Sequence, residues 1–239
     1  MKMQKFYTTS LSLVMVLMLV TMPLMAQQLK GNGNIQTQDR NVSGFTGIDV
    51  SGGFYVEITQ GSNESLKLEA DENLLSNIKT EVRNGVLHIY NDKSLSNSKG
   101  MKAYITVKEL NKVDISGGVK VVGNSTFKTN TMKLDMSGGS KVVLAIEAKE
   151  LRADMSGASK VELKGKADNL VMEMSGASSV DAADFQAKDV KIGASGASKV
   201  KVHADKTLHI DASGASSVYY KGSPSITSET SAAARISRL

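Results

Sequence analysis

The chain has 239 residues, with 29 Lys and Arg against 24 Asp and Glu, 21 Gly, no Cys and no Trp. A mild positive charge spread among acidic residues argues against a nucleic-acid binder, which clusters its cations. The absence of cysteine excludes a disulfide scaffold and a lipid anchor attached through cysteine.

Residues 1–26 have the plan of a secretory signal peptide. Lys2 and Lys5 open it, residues 11–25 (LSLVMVLMLVTMPLM) are apolar, and Ala26 is a small residue at the expected cut. The apolar stretch is short for a membrane span, so an uncleaved anchor is the weaker reading. Cleavage leaves 213 residues, with 27 basic against 24 acidic side chains and a net charge of +3. No later apolar run approaches the ~20 residues of a transmembrane helix. The expected location is the periplasm or the cell surface.

Residues 27–41 are expected to be a linker, and residues 42–239 a single domain. Residues 48–61 (IDVSGGFYVEITQG) and 66–70 read as strands. Residues 71–77 (DENLLSN) read as a helical turn or a corner. Residues 78–90 (IKTEVRNGVLHIY) hold two strand-like runs joined at Asn84-Gly85, a strong hairpin signal. Residues 91–100 are polar and turn-rich, and are expected to loop away from the main body. Residues 104–110 (YITVKEL) lead into a regular array.

That array starts near residue 113 and runs to residue 239. Ser-Gly-small recurs at Ser116, Ser137, Ser156, Ser175, Ser195 and Ser213, spaced by 21, 19, 19, 20 and 18 residues. An earlier copy begins at Ser51, and SAAARI at Ser231 is a degenerate last one. A fixed period of this size marks units that cannot bury an apolar face alone and must stack. The third and first residues before each serine are apolar, as in Leu134 and Met136, while the second is acidic in Asp114, Asp135, Asp154, Glu173 and Asp211, with Gly193 the exception. This is period-two alternation, hence a strand with one buried face. Val121, Val142, Val161, Val180, Val200 and Val218 resume the inward column after the corner. Leu144, Leu163, Ala182 and Val202 follow it, and Leu151, Leu170, Val190 and Leu208 precede the next unit. Three short strands per unit, without helical periodicity, give a β-helix rather than a leucine-rich repeat.

The recurring glycines, Gly117, Gly138, Gly157, Gly176, Gly196 and Gly214, suit a stacked corner where φ is positive. The serines beside them are expected to bond one another or nearby backbone. A nucleophilic serine is needed once, beside a base, and six copies without histidine do not fit that role. The acidic column invites a search for counter-charge, and Lys120, Lys141, Lys160 and Lys199, just past the corner, are the expected source. Calcium is the alternative partner, but the clustered acids of calcium-binding β-helices are missing. His88, His203 and His209 are expected at the surface, since no third metal ligand is evident. A carbohydrate-active enzyme would need paired carboxylates and aromatic platforms in a groove. After cleavage the adjacent aromatics are Phe54-Tyr55 and Tyr219-Tyr220.

FTGIDVSGGFYVEITQG, LKLEADENLLSNIKTEVRNGVLHIY and the serial SGGSKV and SGASKV units resemble the head GIN domain, a family described as putative auto-transporter adhesin and abundant in Bacteroidetes. The resemblance covers about residues 42–236. It implies an all-β, right-handed, mostly parallel β-helix-like solenoid of about 18–21 residues per coil in an exported protein, and it carries no catalytic, cofactor-binding or metal-binding residues. Autotransporters have a large C-terminal barrel, and this sequence closes on its last coil, so self-transport is not expected.

The reading from sequence is an exported binding or structural module, adhesin-like and non-enzymatic. No catalytic, cofactor or metal residue and no cofactor is expected. The partner class is an envelope or extracellular glycan or protein. The rivals are a carbohydrate-active β-helix enzyme and an envelope scaffold assembling through the solenoid ends, where Arg235 and Arg238 lie.

Overall fold

The structure is a computed structural model and describes residues 28–96, 100–231 and 233–239. The expected signal peptide lies outside those residues. In chain order the elements are β1 (Ile35–Arg40), β2 (Gly47–Ser51), β3 (Tyr55–Gln60), β4 (Ser65–Asp71) and a one-turn helix α1 (Glu72–Leu75). The hairpin β5 (Ile78–Arg83) and β6 (Val86–Asn91) follows, then β7 (Lys102–Val107), β8 (Lys112–Ser116), β9 (Lys120–Lys128) and β10 (Thr131–Met136). The long strands β11 (Lys141–Met155), β12 (Lys160–Met174), β13 (Ser179–Ala194) and β14 (Lys199–Ala212) come next. The last three are β15 (Ser217–Lys221), β16 (Ser225–Thr230) and β17 (Arg235–Arg238).

These strands wind into a β-solenoid of about seven turns with parallel stacking. The motif spacing is the coil length. Asp114 pairs with Asp135, Asp135 with Asp154, Asp154 with Glu173, Glu173 with Gly193, and Gly193 with Asp211. Parallel strands lie about 4.8 Å apart, so each position of the repeat becomes a column along the axis.

The apolar columns expected from alternation are buried: Val142, Leu144, Leu151, Ala153 and Met155 of one coil are all at most 4% exposed. Each large aliphatic side chain so buried is worth about 1.5–3 kcal/mol, and every added coil repeats the gain. The core is continuous from Phe45 to Val218.

Three features differ from expectation. From Lys141 to Ala212 each coil is one bent strand of 14–16 residues, not three short ones, and short strands return only after Ala212. In-register pairing carries the ladder through the bends, unbroken between β11 and β12, and register shifts such as the one between Glu162 and Lys164 absorb the differences in coil length. Within the expected linker, Ile35–Arg40 forms β1, antiparallel to β4, and β4 is in turn antiparallel to β7. The loop after β6 is anchored rather than projecting. Leu29 N–H donates to the Ser94 carbonyl at 3.0 Å, and Ser96 N–H donates to the Leu29 carbonyl at 2.9 Å.

Other local expectations hold. Residues 72–75 are a helical turn, and the Arg40 Nη2 donates to the Leu75 carbonyl at its C-terminal end, at 2.6 Å. Asn84 and Gly85 both have positive φ, as a tight hairpin of the primed turn types requires. No helix among the described residues is long and apolar enough to cross a membrane.

Candidate ligand-binding surface

The repeated corner is built from backbone and serine together. The Ser156 N–H donates to the Met136 carbonyl at 2.9 Å, and the Ala158 N–H to the Gly138 carbonyl at 2.9 Å. The hydroxyl that works hardest belongs to the fourth residue of the motif, not the first. Ser159 is 1% exposed, and its Oγ donates to the Ser156 carbonyl at 2.9 Å. Ser140, Ser178, Ser198 and Ser216 repeat that bond to Ser137, Ser175, Ser195 and Ser213 at 2.8–3.1 Å. Sequence reasoning weighed the leading serine and missed this one. The signal was available: Phe54 and Val119 hold the same motif position in the first two corners, which marks it as inward-facing.

The acidic column forms as expected, with a longer extent. Asp49 pairs in register with Asp114 on one side and with His88 on the other, so His88, Asp49 and Asp114 extend the ladder toward the N-terminus. His88, expected as a plain surface residue, places its Nδ1 2.9 Å from Asp49 Oδ2 and is 23% exposed. His203 contacts Asp205 at 3.3 Å, and His209 stands in register between Lys191 and Thr227. Among the described residues no three His, Asp or Glu side chains converge closely enough to hold a metal ion.

The counter-charge comes from a different place than expected. Lys112, Lys133 and Arg152 stand two residues before the acids on the same strands. They meet Asp114, Asp135 and Asp154 at 3.1, 2.8 and 3.0 Å. Lys133 also reaches Asp154 on the next coil at 3.9 Å. The lysines past the corner serve other partners. Lys141 and Lys160 both grip Glu162, at 2.9 and 3.1 Å, while Lys120 and Lys199 lie over the rings of Tyr55 and Tyr219. The corner separates the two faces, which is why that lysine column does not reach the acids.

The charges on both faces stabilise one another. The hydrogen bond from Lys141, joined by that from Lys160, holds the Glu162 carboxyl below its ordinary range. Bonding to Asp135 raises Lys133. Glu173 stands apart: Val171 occupies the place that Lys133 and Arg152 hold on neighbouring coils, and the Glu173 carboxylate leans over Gly193, where the column has no side chain. A shallow groove of about 490 Å³ runs along this edge, lined by Asp114, Asp135, Asp154, Glu173 and the leading serines.

The N-terminal coils depart from the periodicity, and two hollows form there. One, of about 520 Å³, is lined by Asp39, Glu57 and Tyr104 among others. Glu57 accepts from Asn124 Nδ2 at 3.1 Å, and the Tyr104 hydroxyl donates to Glu69 at 3.0 Å, so both groups are tied into the scaffold. The other, of about 1060 Å³, lies between the first Ser-Gly corner and the loop after β6, against Tyr55, Lys93 and Lys120.

A family model described as "Putative auto-transporter adhesin, head GIN domain" matches residues 44–224. No curated protein matches the chain. Among solved structures, a putative adhesin from Bacteroides fragilis is similar at 22% identity and a TM-score of 0.84, covering 88% of this chain and 100% of its own. A putative lipid binding protein from Parabacteroides distasonis is similar at 23% identity and 0.75, covering 89% and 100%. A putative adhesin from Parabacteroides merdae gives 19% and 0.71, covering 89% and 99%. At these identities the likeness is one of fold.

Proposed function

The chain belongs to the head GIN domain family, and on that premise we propose that it is an exported binding module that holds a repeating partner against its ladder face. Residues 42–239 act as one domain in this reading, which the single continuous core supports. The observation that carries the proposal is the register Asp114–Asp135–Asp154–Glu173, flanked by Lys112, Lys133 and Arg152. A polymer whose own repeat matches a few coil spacings meets the same donors and acceptors again on each coil. Individually weak polar contacts then add through multivalency. Glycans and envelope polymers have that regularity, and the adhesin names of the structural relatives agree with a role in binding.

The lipid-binding name of one relative is not carried over. The interior of the solenoid is filled by side chains at a few per cent exposure or less, and the ladder face is charged.

Two measurements test the proposal. Protease shaving of intact cells, with a periplasmic marker as leakage control, reports the compartment. Release of peptides from the chain while the marker stays inside supports surface display. Protection until the outer membrane is opened restricts the partner to the envelope. Pull-down of purified envelope polysaccharides and extracellular matrix glycans is then compared between the wild type and a Lys112→Gln, Lys133→Gln, Arg152→Gln variant. Binding that is unchanged by the triple replacement would rule out the ladder face.

A further inference from the structure

The corner ladder has a break, and the break makes a cavity. From the second regular corner onward, the third residue of each motif donates its N–H to the glycine carbonyl one coil back: Gly139 to Gly117 at 3.0 Å, Ala158 to Gly138 at 2.9 Å, and Ala177, Ala197 and Ala215 likewise at 2.8 Å. Gly118, the equivalent residue one coil earlier, makes no such bond among the described residues. The Gly52 carbonyl that it would meet accepts from Asn91 Nδ2 instead, at 3.3 Å. Gly52 and Gly53 both have positive φ, and the hollow opens between the strand that follows them and the loop after β6. Leu29 pins that loop through two backbone bonds, which keeps the hollow open at about 1060 Å³.

The lining is cationic, polar and aromatic. Lys93 and Lys120 meet no carboxylate within 4.0 Å among the described residues, whereas Lys112, Lys133, Lys141, Lys160 and Lys201 all do. Lys120 Nζ lies 5.0 Å from the centre of the Tyr55 ring. Lys102 also lines the hollow but is held by Glu69 at 2.7 Å, and Asp92 is the acid of the lining. Gln28, Asn91, Ser51 and Ser94 contribute amides and hydroxyls. Of the large apolar neighbours, Phe54 and Met101 are 1% exposed and already spent on the core, and Leu95 is partly buried against it, so no continuous apolar channel is left for an acyl chain.

We propose that this cavity binds an acidic saccharide. Lys93 and Lys120 would hold its carboxylate or sulfate, the Tyr55 ring would form an aromatic wall, and the amides and hydroxyls would meet sugar hydroxyls. The volume lies just above the ~300–1,000 Å³ range of small-molecule sites and suits a short oligosaccharide. The inference rests on the reading of the chain as a binding module, but it uses a different surface from the ladder.

The test is titration calorimetry of the processed chain with hexagalacturonate and a heparin-derived hexasaccharide, with maltohexaose and inorganic sulfate as controls. At least one acidic hexasaccharide binds, and both controls bind at least tenfold more weakly. The Lys93→Gln, Lys120→Gln double variant and the Tyr55→Leu variant each lose tenfold or more with unchanged circular dichroism, and Lys188→Gln, which removes a distant positive charge, loses nothing. Failure of both acidic hexasaccharides to bind overturns the inference, as does equal binding of maltohexaose or sulfate, or full binding by the double variant. Binding lost on replacing Lys133 and Arg152 but not Lys93 and Lys120 overturns the cavity and leaves the ladder proposal standing.

Discussion

Gly157 sits so close to Gly138 on the preceding coil that a Cβ built on it would stand 2.8 Å from the Gly138 carbonyl oxygen, and its φ is +76°. The neighbouring motif position is different. A Cβ on Gly139 meets nothing within 4 Å, and the later coils carry Ala158, Ala177, Ala197 and Ala215 there. The Ser-Gly-small signature is thus two separate demands: a residue with neither Cβ nor a φ restriction, followed by one that needs only to be small.

Gly157→Ala is therefore expected to destabilise the chain by about 2–3 kcal/mol, from the left-handed backbone penalty and the added clash. That corresponds to a fall of roughly 4–12 °C in Tm for a chain of this size. Gly139→Ala is expected to stay within about 0.5 kcal/mol of wild type. Calorimetric melting of the two variants checks the contrast, and equal effects would refute the stacking argument.

The buried hydroxyl of Ser159 satisfies the Ser156 carbonyl, and no apolar replacement can do so. Ser159→Ala is expected to cost about 1 kcal/mol, the usual net worth of an intramolecular hydrogen bond. Ser156→Ala, at an exposed site, is expected to stay within about 0.5 kcal/mol of wild type. Urea unfolding of both variants distinguishes an inward structural serine from an outward one.

Arg152 stands beside Asp154, and Asp154 lies in register between Asp135 and Glu173. Removing the guanidinium leaves three carboxylates on adjacent coils with less counter-charge. Arg152→Gln is expected to lower the urea midpoint slightly at low ionic strength. The penalty should shrink toward zero in 1 M salt, where the screening length is about 3 Å. A penalty that ignores salt would mean that Arg152 acts through packing of its stem.

Glu69 accepts from Lys102 and, more weakly, from Tyr104, and these bonds hold its carboxyl below the ordinary range. A depressed folded-state pKa contributes stability that is present above the unfolded value, about 4.3, and is lost as pH falls through the lower folded value. The stability gap between wild type and Glu69→Gln is therefore expected to be full at pH 6–7 and to close below about pH 4. Urea midpoints measured across that range check the sign, and a gap that widens on acidification would contradict it.

Much of this was legible from the residues alone. Period-two alternation identified the inward columns headed by Val121 and Leu134, and the even spacing of the serines told the coil length before any register was known. Lys133 and Asp135, two residues apart on one strand, were also legible as same-face neighbours. The pairing was overlooked in favour of Lys141, which is near the acids along the chain but lies around the corner. Ser159 was hidden by its polarity, with Val119 as the overlooked clue.

What the sequence determined is whatever is local: which side chains face inward, where the chain must turn, and that the units must stack. What only the tertiary structure decided is what happens between residues some twenty or more positions apart, such as Glu173 leaning over Gly193 or Lys93 and Lys120 meeting at one cavity. Alternation and glycine placement are short-range constraints on the backbone. Contacts between coils depend on how register shifts at the bends accumulate, and on where the first irregular coil fails to stack.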